Sequence, residues 1–497
     1  MKKLLLIVLA LGIGFSTYAQ KANKLDAEIM KTDKFRMQYD DADQGAWSVM
    51  NPYKAVNKTV KGTAAVDKYQ ISSSANVYTL LVTQSHCLTA DQASGTLMFT
   101  HRADPSAGLG NSSADIVTSF STDDGMTWTQ NIVLQNSENN RYPSGVIYNP
   151  IMTANIDSTM AVWCGPVWHG PSGGEVWDQN YFGSSTFDGL MANSEYIDNP
   201  INEEVLIRMG FSACNDGFVH VMGPNYEYNA GTGYMDYRNT VVMNGVFNPG
   251  TMQFDWTEVQ VPADDFVNNP TDGDLVGSYN MQWSQDGNMG WIYYTGRDDR
   301  NDQFSYQPLA YYSTDKGNTW TAKPWFDYGT IPAIDTNFWS LRADPTRVVP
   351  TFFYWNDGVV DANGELHIFL NGNGKYSIHP DSLNYSYVYQ PDFVIDLYTT
   401  PTGWDAVLID TLWTEQVPAD QSGYGTGTDA VGWTHRTQSS RSHDGTKVFM
   451  VWSDTDTLFS DMNKFPDIKG WGMDVNTVDK TDVVNFTEGT VYAANNF

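Results

Sequence analysis

The sequence predicts an all-β fold, a six-bladed β-propeller that occupies residues 76–497. A turn followed by a short apolar run recurs six times, and the third residue of each copy lies at positions 95, 158, 217, 287, 364 and 445. Between these turns the chain is rich in β-branched and aromatic residues and has no long helical period. Each copy therefore predicts one four-stranded unit, and a radial arrangement of such units leaves few strand edges exposed.

Two of the six units contain the same eight-residue motif, Ser121-Thr-Asp-Asp-Gly-Met-Thr-Trp128 and Ser313-Thr-Asp-Lys-Gly-Asn-Thr-Trp320. In each copy we expect the aspartate to accept hydrogen bonds from the turn's backbone amides, and the glycine to supply the positive φ. We expect the tryptophan to fold back as an apolar anchor between neighbouring sheets. The predicted structural residues are Ser121, Asp123, Gly125, Trp128, Ser313, Asp315, Gly317 and Trp320.

This motif resembles the Asp box, or BNR repeat, of sialidases and several other β-propeller families. The resemblance implies that both hairpins lie on the outside of their blades, far from the ligand face. It therefore implies the fold and not the chemistry. The two motifs belong to the first and fourth units, which lie opposite each other in a ring of six. When these two units are aligned on their motifs, Arg102 and Arg297 occupy equivalent positions.

The first 19 residues predict a secretory signal peptide. Lys2 and Lys3 precede an apolar run from Leu4 to Phe15, and small residues lead to a cleavage site after Ala19. Residues 20–75 have weak strand patterning and predict an N-terminal arm, so we expect a secreted or cell-surface protein. The Ala-Gln ending of the signal peptide, together with the Asp boxes, resembles substrates of the type IX secretion system, which implies a secretion or surface assembly partner.

Composition excludes several classes of partner. The formal net charge of −30 disfavours nucleic acid and anionic membrane surfaces, and no later segment is apolar enough to insert into a membrane. The 17 Trp, 28 Tyr and 23 Phe predict a large core and argue against disorder. Cys87, Cys164 and Cys214 cannot all pair with one another, so either a bridge between Cys164 and Cys214 or three buried thiols is expected.

The resemblance to sialidases also suggests where an active site would lie. A sialidase binds the substrate carboxylate through three arginines and uses a tyrosine activated by a glutamate as nucleophile, with an aspartate as acid and base. Arg102 and the loop after it match one arginine strand of that family, which gives Asp104 or Asp115 the acid/base role. The family's first triad arginine has no counterpart, because no arginine lies between Met37 and His101.

A second set of candidate clamp arginines is obtained if the inner strands of the ring are counted from the segment Arg141-Tyr-Pro143. Arg141, Arg342 and either Arg436 or Arg441 would then begin or precede inner strands, and would form the carboxylate clamp of a hydrolase. For each of these arginines, an ion pair with one of the 58 acidic residues is the structural alternative.

The segment 163–177 places three tryptophans in and beside a glycine-rich loop. Exposed aromatic faces stack on sugar rings, so Trp168 and Trp177, together with Arg102 and Arg297, are the candidate ligand-binding residues. Packing between blades is the alternative interpretation of the tryptophans.

No metal or cofactor is predicted. The HExxH, GxSxG, P-loop and paired CxxC motifs do not occur in the sequence. Asp454, Asp456 and Asp461, or Asp41 and Asp43, carry the oxygen ligands that calcium prefers, but neither run completes a known loop pattern.

The sequence favours a secreted or cell-surface propeller that binds a glycan or protein partner through its loop face, without a complete sialidase centre. Two alternatives stay open. One is a sialidase-like exo-glycoside hydrolase, and the other is a structural component of a cell-envelope or secretion assembly.

Overall fold

The structure is a computed structural model of the chain. It describes residues 67–75, 87–134, 139–169, 176–229, 234–262, 268–269, 273–274, 276–297, 305–338, 348–374, 392–412, 414, 435–457, 463, 466–488 and 490. The expected signal peptide and most of the expected N-terminal arm lie outside the described residues.

The described strands form six antiparallel blades, each with four strands in chain order, together with one added strand on blade 3 and a separate two-stranded ribbon. The prediction of a six-bladed β-propeller is therefore confirmed. Blade 1 contains β1 (Leu88–Asp91), β2 (Thr96–Arg102), β3 (Ile116–Ser121) and β4 (Thr129–Leu134). Blade 2 contains β5 (Ser144–Tyr148), β6 (Met160–His169), β7 (Val176–Thr186) and β8 (Ala192–Asp198). A short strand, β9 (Glu203–Val205), pairs with the second strand of blade 3.

The remaining blades continue the same order. Blade 3 contains β10 (Met209–Ala213), β11 (Phe218–Asn229), β12 (Tyr234–Asn248) and β13 (Gln253–Pro262), and a two-stranded ribbon, β14 (Asn268–Asn269) and β15 (Gly273–Asp274), follows it. Blade 4 contains β16 (Val276–Trp283), β17 (Gly290–Arg297), β18 (Tyr306–Ser313) and β19 (Thr321–Ala322), and the helix α1 (Pro332–Asn337) follows it. Blade 5 contains β20 (Pro350–Val360), β21 (Leu366–Gly374), β22 (Asp392–Thr400) and β23 (Gly403–Leu412). Blade 6 contains β24 (Gln438–Arg441), β25 (Lys447–Thr455), β26 (Pro466–Asp474) and β27 (Val484–Asn485).

The first strands of successive blades lie side by side, from β1 through β5, β10, β16 and β20 to β24. Because the strands of each blade alternate in direction, the ring has two distinct faces. The turn face carries the turns between first and second strands and between third and fourth strands. The loop face carries the connections between second and third strands and the links from one blade to the next.

The six turns predicted from the sequence all fall between the first and second strands of the six blades. On the turn face, hydrogen bonds join each blade to the next, from blade 1 to blade 6. The bonds are Asn149 Nδ2 to Asp91 (2.7 Å), Tyr148 Oη to Gly217 O (3.3 Å), Gln285 Nε2 to Asn215 Oδ1 (3.0 Å), Trp291 Nε1 to Gly364 O (2.8 Å) and Ala362 N to Gly445 O (2.9 Å).

The core of the described ring consists of apolar layers, each between two neighbouring blades. Met98 of blade 1 packs with Ile147 of blade 2, and Val162 of blade 2 packs in a cluster with Val219 of blade 3. Further clusters join blades 3 and 4, blades 4 and 5, and blades 5 and 6. Since each layer needs both of its blades, no blade can bury its apolar surface alone.

The two eight-residue motifs form the turns between β3 and β4 and between β18 and β19, and both show the same hydrogen bonds. The serine hydroxyl donates to the aspartate and accepts from the glycine amide, and the aspartate accepts from the threonine amide four residues later. The Trp128 and Trp320 indoles donate back to the carbonyls of Gly125 and Gly317. Trp320 packs edge-on against Trp283 of its own blade and also against the apolar cluster between blades 3 and 4, in agreement with the expected anchor between neighbouring sheets.

Cys87, Cys164 and Cys214 are all buried and none of them is in a disulfide, so the expected alternative of three buried thiols holds and the possible bridge between Cys164 and Cys214 does not form. Burial raises the pKa of Cys87 to about 12. In the part of the chain that the structure describes, no helix is long and apolar enough to cross a membrane.

Candidate functional site

Three arginines from the first three blades come together on the loop face. Arg102 is the last residue of β2, Arg141 lies three residues before β5, and Arg208 directly precedes β10. Because β1, β5 and β10 are neighbouring first strands, the loop-face ends of these blades converge. This arginine cluster (Arg102, Arg141 and Arg208) is therefore assembled by the ring and not by one segment of sequence.

Tyr142 interacts electrostatically with all three members of the arginine cluster. Its phenol influences the pKa of all three guanidinium groups, which places it close to each of them. The Cζ of Arg208 lies 5.6 Å from the centre of the Tyr142 ring, within cation–π range. Tyr142 has a φ of 50°, a left-handed conformation that costs a bulky residue about 1–3 kcal/mol. Strain of this kind is typical of functional sites.

Arg102 is held rigidly at one side of the arginine cluster. Its side chain is buried, Nε donates to the carbonyl oxygen of Ser113 (2.6 Å), and a terminal nitrogen donates to the Ser113 hydroxyl (3.3 Å). Burial, followed by the positive charge of Arg141, lowers the pKa of Arg102 to about 10. Arg102 is still a cation at neutral pH, and a bound anion would offset its repulsion by Arg141.

Arg208 is the member of the arginine cluster that reaches furthest around the ring. Burial lowers its pKa, and the groups that raise it come from four blades: Tyr279 on β16, Tyr142 before β5, Tyr226 on β11 and Cys87 before β1. Its guanidinium therefore lies where the loop-face ends of blades 1 to 4 meet.

Two tyrosines form a hydroxyl pair beside Arg208. The oxygens of Tyr226 and Tyr279 are 2.5 Å apart. Burial raises the pKa of Tyr279, while the Tyr226 hydroxyl and the Arg208 charge oppose this. Tyr279 is therefore neutral at physiological pH, and one hydroxyl of the pair donates to the other.

Aromatic side chains lead from the arginine cluster outward along blade 2. The Trp177 ring lies 5.7 Å from the Tyr142 ring, and the Cζ of Arg141 lies 5.4 Å from the Trp168 ring. Both tryptophans are half-buried, in contrast to Trp163, which is fully buried in the core. The predicted ligand-binding residues Arg102, Trp168 and Trp177 thus lie in one region with Arg141.

Asp104, the proposed acid/base residue of the hydrolase alternative, caps a short turn. Its carboxylate accepts from the Ser106 amide (3.0 Å), the Ser106 hydroxyl (2.6 Å) and the Ser73 hydroxyl (2.5 Å). The Ser106 and Ser73 hydroxyls are the main cause of its lowered pKa. A carboxyl group with a lowered pKa is a poor proton donor at neutral pH. Asp115 similarly accepts from the amides of Asn111 and Ser112.

The other predicted arginines lie elsewhere or outside the described residues. Arg342 and the side chain of Arg297 are not among the described groups. Arg436, with a φ of 46°, follows His435, which contacts Asn371 of blade 5 and Asp454 of blade 6. Arg436 is therefore on the side of blades 5 and 6, whereas the arginine cluster draws on blades 1 to 3.

Arg441 ends β24 at the turn face. One terminal nitrogen donates to the Val360 carbonyl, and the other donates to Gln285 Oε1 at 3.3 Å. Both partners lie beside turns between first and second strands, so Arg441 is at the opposite face of the ring from Arg141.

Of the proposed calcium ligands, Asp454 is engaged by the Lys469 ammonium at 2.7 Å. Asp461, Asp41 and Asp43 lie outside the described residues.

Reasoning from the sequence missed Arg208 and the tyrosines beside it. The segment Ile207-Arg208-Met209 contains no motif, and no proline follows Arg208 to give the R-x-P pattern found at Arg141. A usable signal was present, because Arg208 directly precedes the first strand of a unit, and Arg141 lies three residues before one. Tyr226 and Tyr279 carried no such signal, since tyrosines are common in this chain.

The site can bind an anion and hydrogen-bond it. Guanidinium groups bind carboxylates through paired, charge-assisted hydrogen bonds. Tyr142, the Tyr226–Tyr279 pair and the two tryptophans add hydroxyl donors and aromatic faces around the arginine cluster. A carboxylate on a sugar ring is the kind of group that these side chains together suit.

Comparison with known proteins gives structural similarities only. No protein-family model matches the chain, and no curated protein matches it. Among solved structures it is similar to Trypanosoma rangeli sialidase (12% identity, TM-score 0.33, 84% of this chain and 58% of the sialidase covered). It is similar to polysaccharide lyase Uly1 (10% identity, TM-score 0.42, 86% of each chain covered) and to a thermostable family-43 glycoside hydrolase (12% identity, TM-score 0.30, 65% of this chain and 93% of the hydrolase covered). The chain spans less than three fifths of the length of the sialidase chains that it matches.

Proposed function

We propose that the protein binds a glycan bearing a carboxylate group through its loop face, with Arg208 as the central anion contact and without a complete sialidase centre. The observation that carries this proposal is the contact between the Arg208 guanidinium and the Tyr142 ring (5.6 Å), because Tyr142 directly follows Arg141 and its phenol also raises the pKa of Arg102. Three cations around one phenol in a chain of net charge −30 suit a local anionic ligand.

Binding is favoured over hydrolysis by the groups that surround the phenols. A sialidase-type nucleophile requires a tyrosine beside a carboxylate base. Among the described residues, the pKa of Tyr279 is shifted by burial and then by the Tyr226 hydroxyl and the Arg208 charge, and none of these groups is a carboxylate. The hydrolase alternative draws its support from the Tyr226–Tyr279 pair, which places a phenol beside a guanidinium. Release of sialic acid from a fluorogenic sialoside would contradict the proposal and favour the hydrolase alternative.

The decisive experiment compares Arg208→Met with Arg238→Met. Arg238 is an arginine of the same blade that pairs with Glu203 at 2.6 Å and with Glu227 at 3.2 Å. Calorimetric titration with galacturonic acid oligomers should show at least an approximately tenfold weaker Kd for Arg208→Met, since a charge-assisted hydrogen bond contributes about 1.5–3 kcal/mol. Arg238→Met should bind as the wild type does.

The same titration with oligomers whose carboxylates have been reduced to alcohols tests the anion itself. Much weaker binding of the reduced oligomers is expected. Equal affinity for acidic and reduced oligomers, or an unchanged Kd for Arg208→Met, would contradict the proposal.

Export through the signal peptide is part of the same proposal. Expression of the full chain followed by cell fractionation should place the mature protein, beginning at Gln20, outside the cytoplasm. Retention in the cytoplasm with an intact N-terminus would contradict it. Stable recovery within a large envelope complex, without glycan binding, would favour the assembly alternative.

A further inference from the structure

We infer that the site takes an internal stretch of an acidic polysaccharide, which runs from Arg208 over Tyr142 and Trp177 towards the outer edge of blade 2. This inference rests on the proposed function and adds a ligand class to it. A site for one terminal acidic sugar would need only the arginine cluster, whereas a site for a polymer needs contacts beyond it.

Two short rows of side chains provide such contacts. The first row runs from Arg208 to Tyr142 (5.6 Å) and on to Trp177 (5.7 Å). The second runs from Arg141 to Trp168 (5.4 Å). Both begin at a guanidinium group and end on an aromatic ring of β6 or β7, so both extend from the arginine cluster into blade 2.

The ends of the rows are accessible, while the neighbouring core is closed. Trp168 and Trp177 are half-buried. Trp163, on the same strand as Trp168, is fully buried and packs where a side chain on Gly183 would lie. Trp163 therefore fills the core of blade 2, and the two other tryptophans of this blade lie near the loop face.

Polar groups flank the rows. The His169 imidazole lies 2.5 Å from Asp178, and their side chains are 35% and 49% exposed. The Glu204 carboxylate accepts from the Trp177 amide at 3.4 Å. Hydrogen-bonding groups beside aromatic faces match the alternating hydroxyl edges and CH faces of successive sugar rings.

The strained backbone of Tyr142 supports a role for the first row. A φ of 50° is unfavourable for tyrosine, and the cost is about 1–3 kcal/mol. In this conformation the ring lies between Arg208 and Trp177. Core packing alone gives no reason for this cost, because Tyr142 is itself only partly buried.

The test is a titration series with galacturonic acid and its linear dimer, tetramer and hexamer. For the wild type we expect the Kd to fall at least about tenfold from monomer to tetramer, since each stacked ring contributes about 1 kcal/mol or more. Trp177→Ala should weaken tetramer binding much more than monomer binding, and so lose most of the gain with length. Trp177→Phe, which keeps an aromatic face, should restore much of it.

Trp128→Ala, on the turn face of blade 1, is the matched control and should leave the whole series unchanged. Trp168→Ala tests the second row and replaces Trp177→Ala if the latter unfolds, as judged by circular dichroism. Monomer and hexamer binding with equal affinity would overturn the inference and leave the proposed function intact. Loss of monomer binding in both tryptophan variants would also overturn it, whereas no binding by any member of the series would overturn the proposed function as well.

Discussion

Buried histidines differ in charge according to their partners. His367 on β21 lies 2.9 Å from the Asp396 carboxylate and 3.7 Å from Asp361. Burial alone would lower its pKa, but the two carboxylates outweigh burial and raise the pKa to about 9. His220 on β11 is hydrogen-bonded to Asn244 (2.8 Å), and burial lowers its pKa to about 4. At neutral pH His367 is therefore a cation and His220 is neutral.

We predict that His367→Asn removes a pH-dependent contribution to stability. The folded-state pKa of about 9 lies above the ordinary value of 6.5, so the contribution is complete below pH 6.5 and is lost as the pH rises through 9. The variant should lose about 3 kcal/mol of unfolding free energy at pH 6 and less at pH 9.5, as measured by guanidinium denaturation. His220→Gln should lose an amount of unfolding free energy that does not differ between pH 6 and pH 9.5, because His220 is neutral at both pH values. A His367→Asn deficit that does not change with pH would contradict the assignment.

At the scale of single residues, sequence reasoning found side chains that belong to motifs and missed those that depend on the ring. Asp123 and Asp315 accept the threonine amides that the turn pattern predicted. Arg208 acquires its neighbours from four blades, and no local pattern records such an arrangement. Arg102 and Arg141 were found, but their association across two blades could not be derived without the register of the first strands.

At the scale of elements, the repeating turns were the most predictable feature, because their conformations impose residue types. The six turns predicted near positions 95 to 445 all separate first and second strands. Gly95, Gly217, Gly287, Gly364 and Gly445 all have positive φ there, as does Gly125 in the first eight-residue motif. Residues that carry a side chain are disfavoured at positive φ, whereas glycine adopts it readily. Glycines at such positions therefore indicate turns in the sequence.

The two eight-residue motifs offer a matched pair of glycines. Gly125 and Gly317 have φ values of 84° and 77°. A methyl group on Gly125 would lie 3.4 Å from Leu97, at ordinary contact distance, whereas one on Gly317 would lie 2.8 Å from Asn244 Oδ1. Asn244 is buried and bonds both His220 and the Gly317 carbonyl, so it cannot move freely.

We therefore predict that Gly317→Ala destabilises the protein more than Gly125→Ala. The left-handed conformation should cost each variant about 1–2 kcal/mol. Disturbance of the Asn244 hydrogen bonds should cost Gly317→Ala a further 1–3 kcal/mol or so. Thermal unfolding of both variants under one buffer condition measures the difference. Equal losses would mean that the second turn does not depend on its contact with blade 3.

At the scale of the whole molecule, the number of blades could be predicted, whereas the assembly of the candidate site from the first three blades could not. Repeat spacing determines how many units close the ring, and the apolar layers between successive blades follow from it. Which loop-face ends carry the binding groups depends on single side chains in connections of variable length. The concentration of the arginine cluster on blades 1 to 3 therefore emerges only from the assembled ring.

The distribution of charge over the molecule makes a distinctive kinetic prediction for the proposed ligand. The formal net charge of −30 repels an anionic oligosaccharide at long range, while the arginine cluster attracts it at short range. Raising the ionic strength from about 10 mM to about 150 mM shortens the Debye length from about 30 Å to about 8 Å. Salt at these concentrations therefore screens the distant acidic residues more than the partly buried guanidinium contacts.

We expect the association rate constant for a galacturonate hexamer to rise severalfold, up to about tenfold, over this range of salt. Simple pairing between a cation and an anion would give the opposite trend. Stopped-flow measurement with a fluorescently labelled hexamer reports the rate constant, and a neutral hexamer of similar length is the control, with no dependence on salt. A steady fall of the rate constant with added salt would show that the arginine cluster, and not the net charge, governs the approach of the ligand.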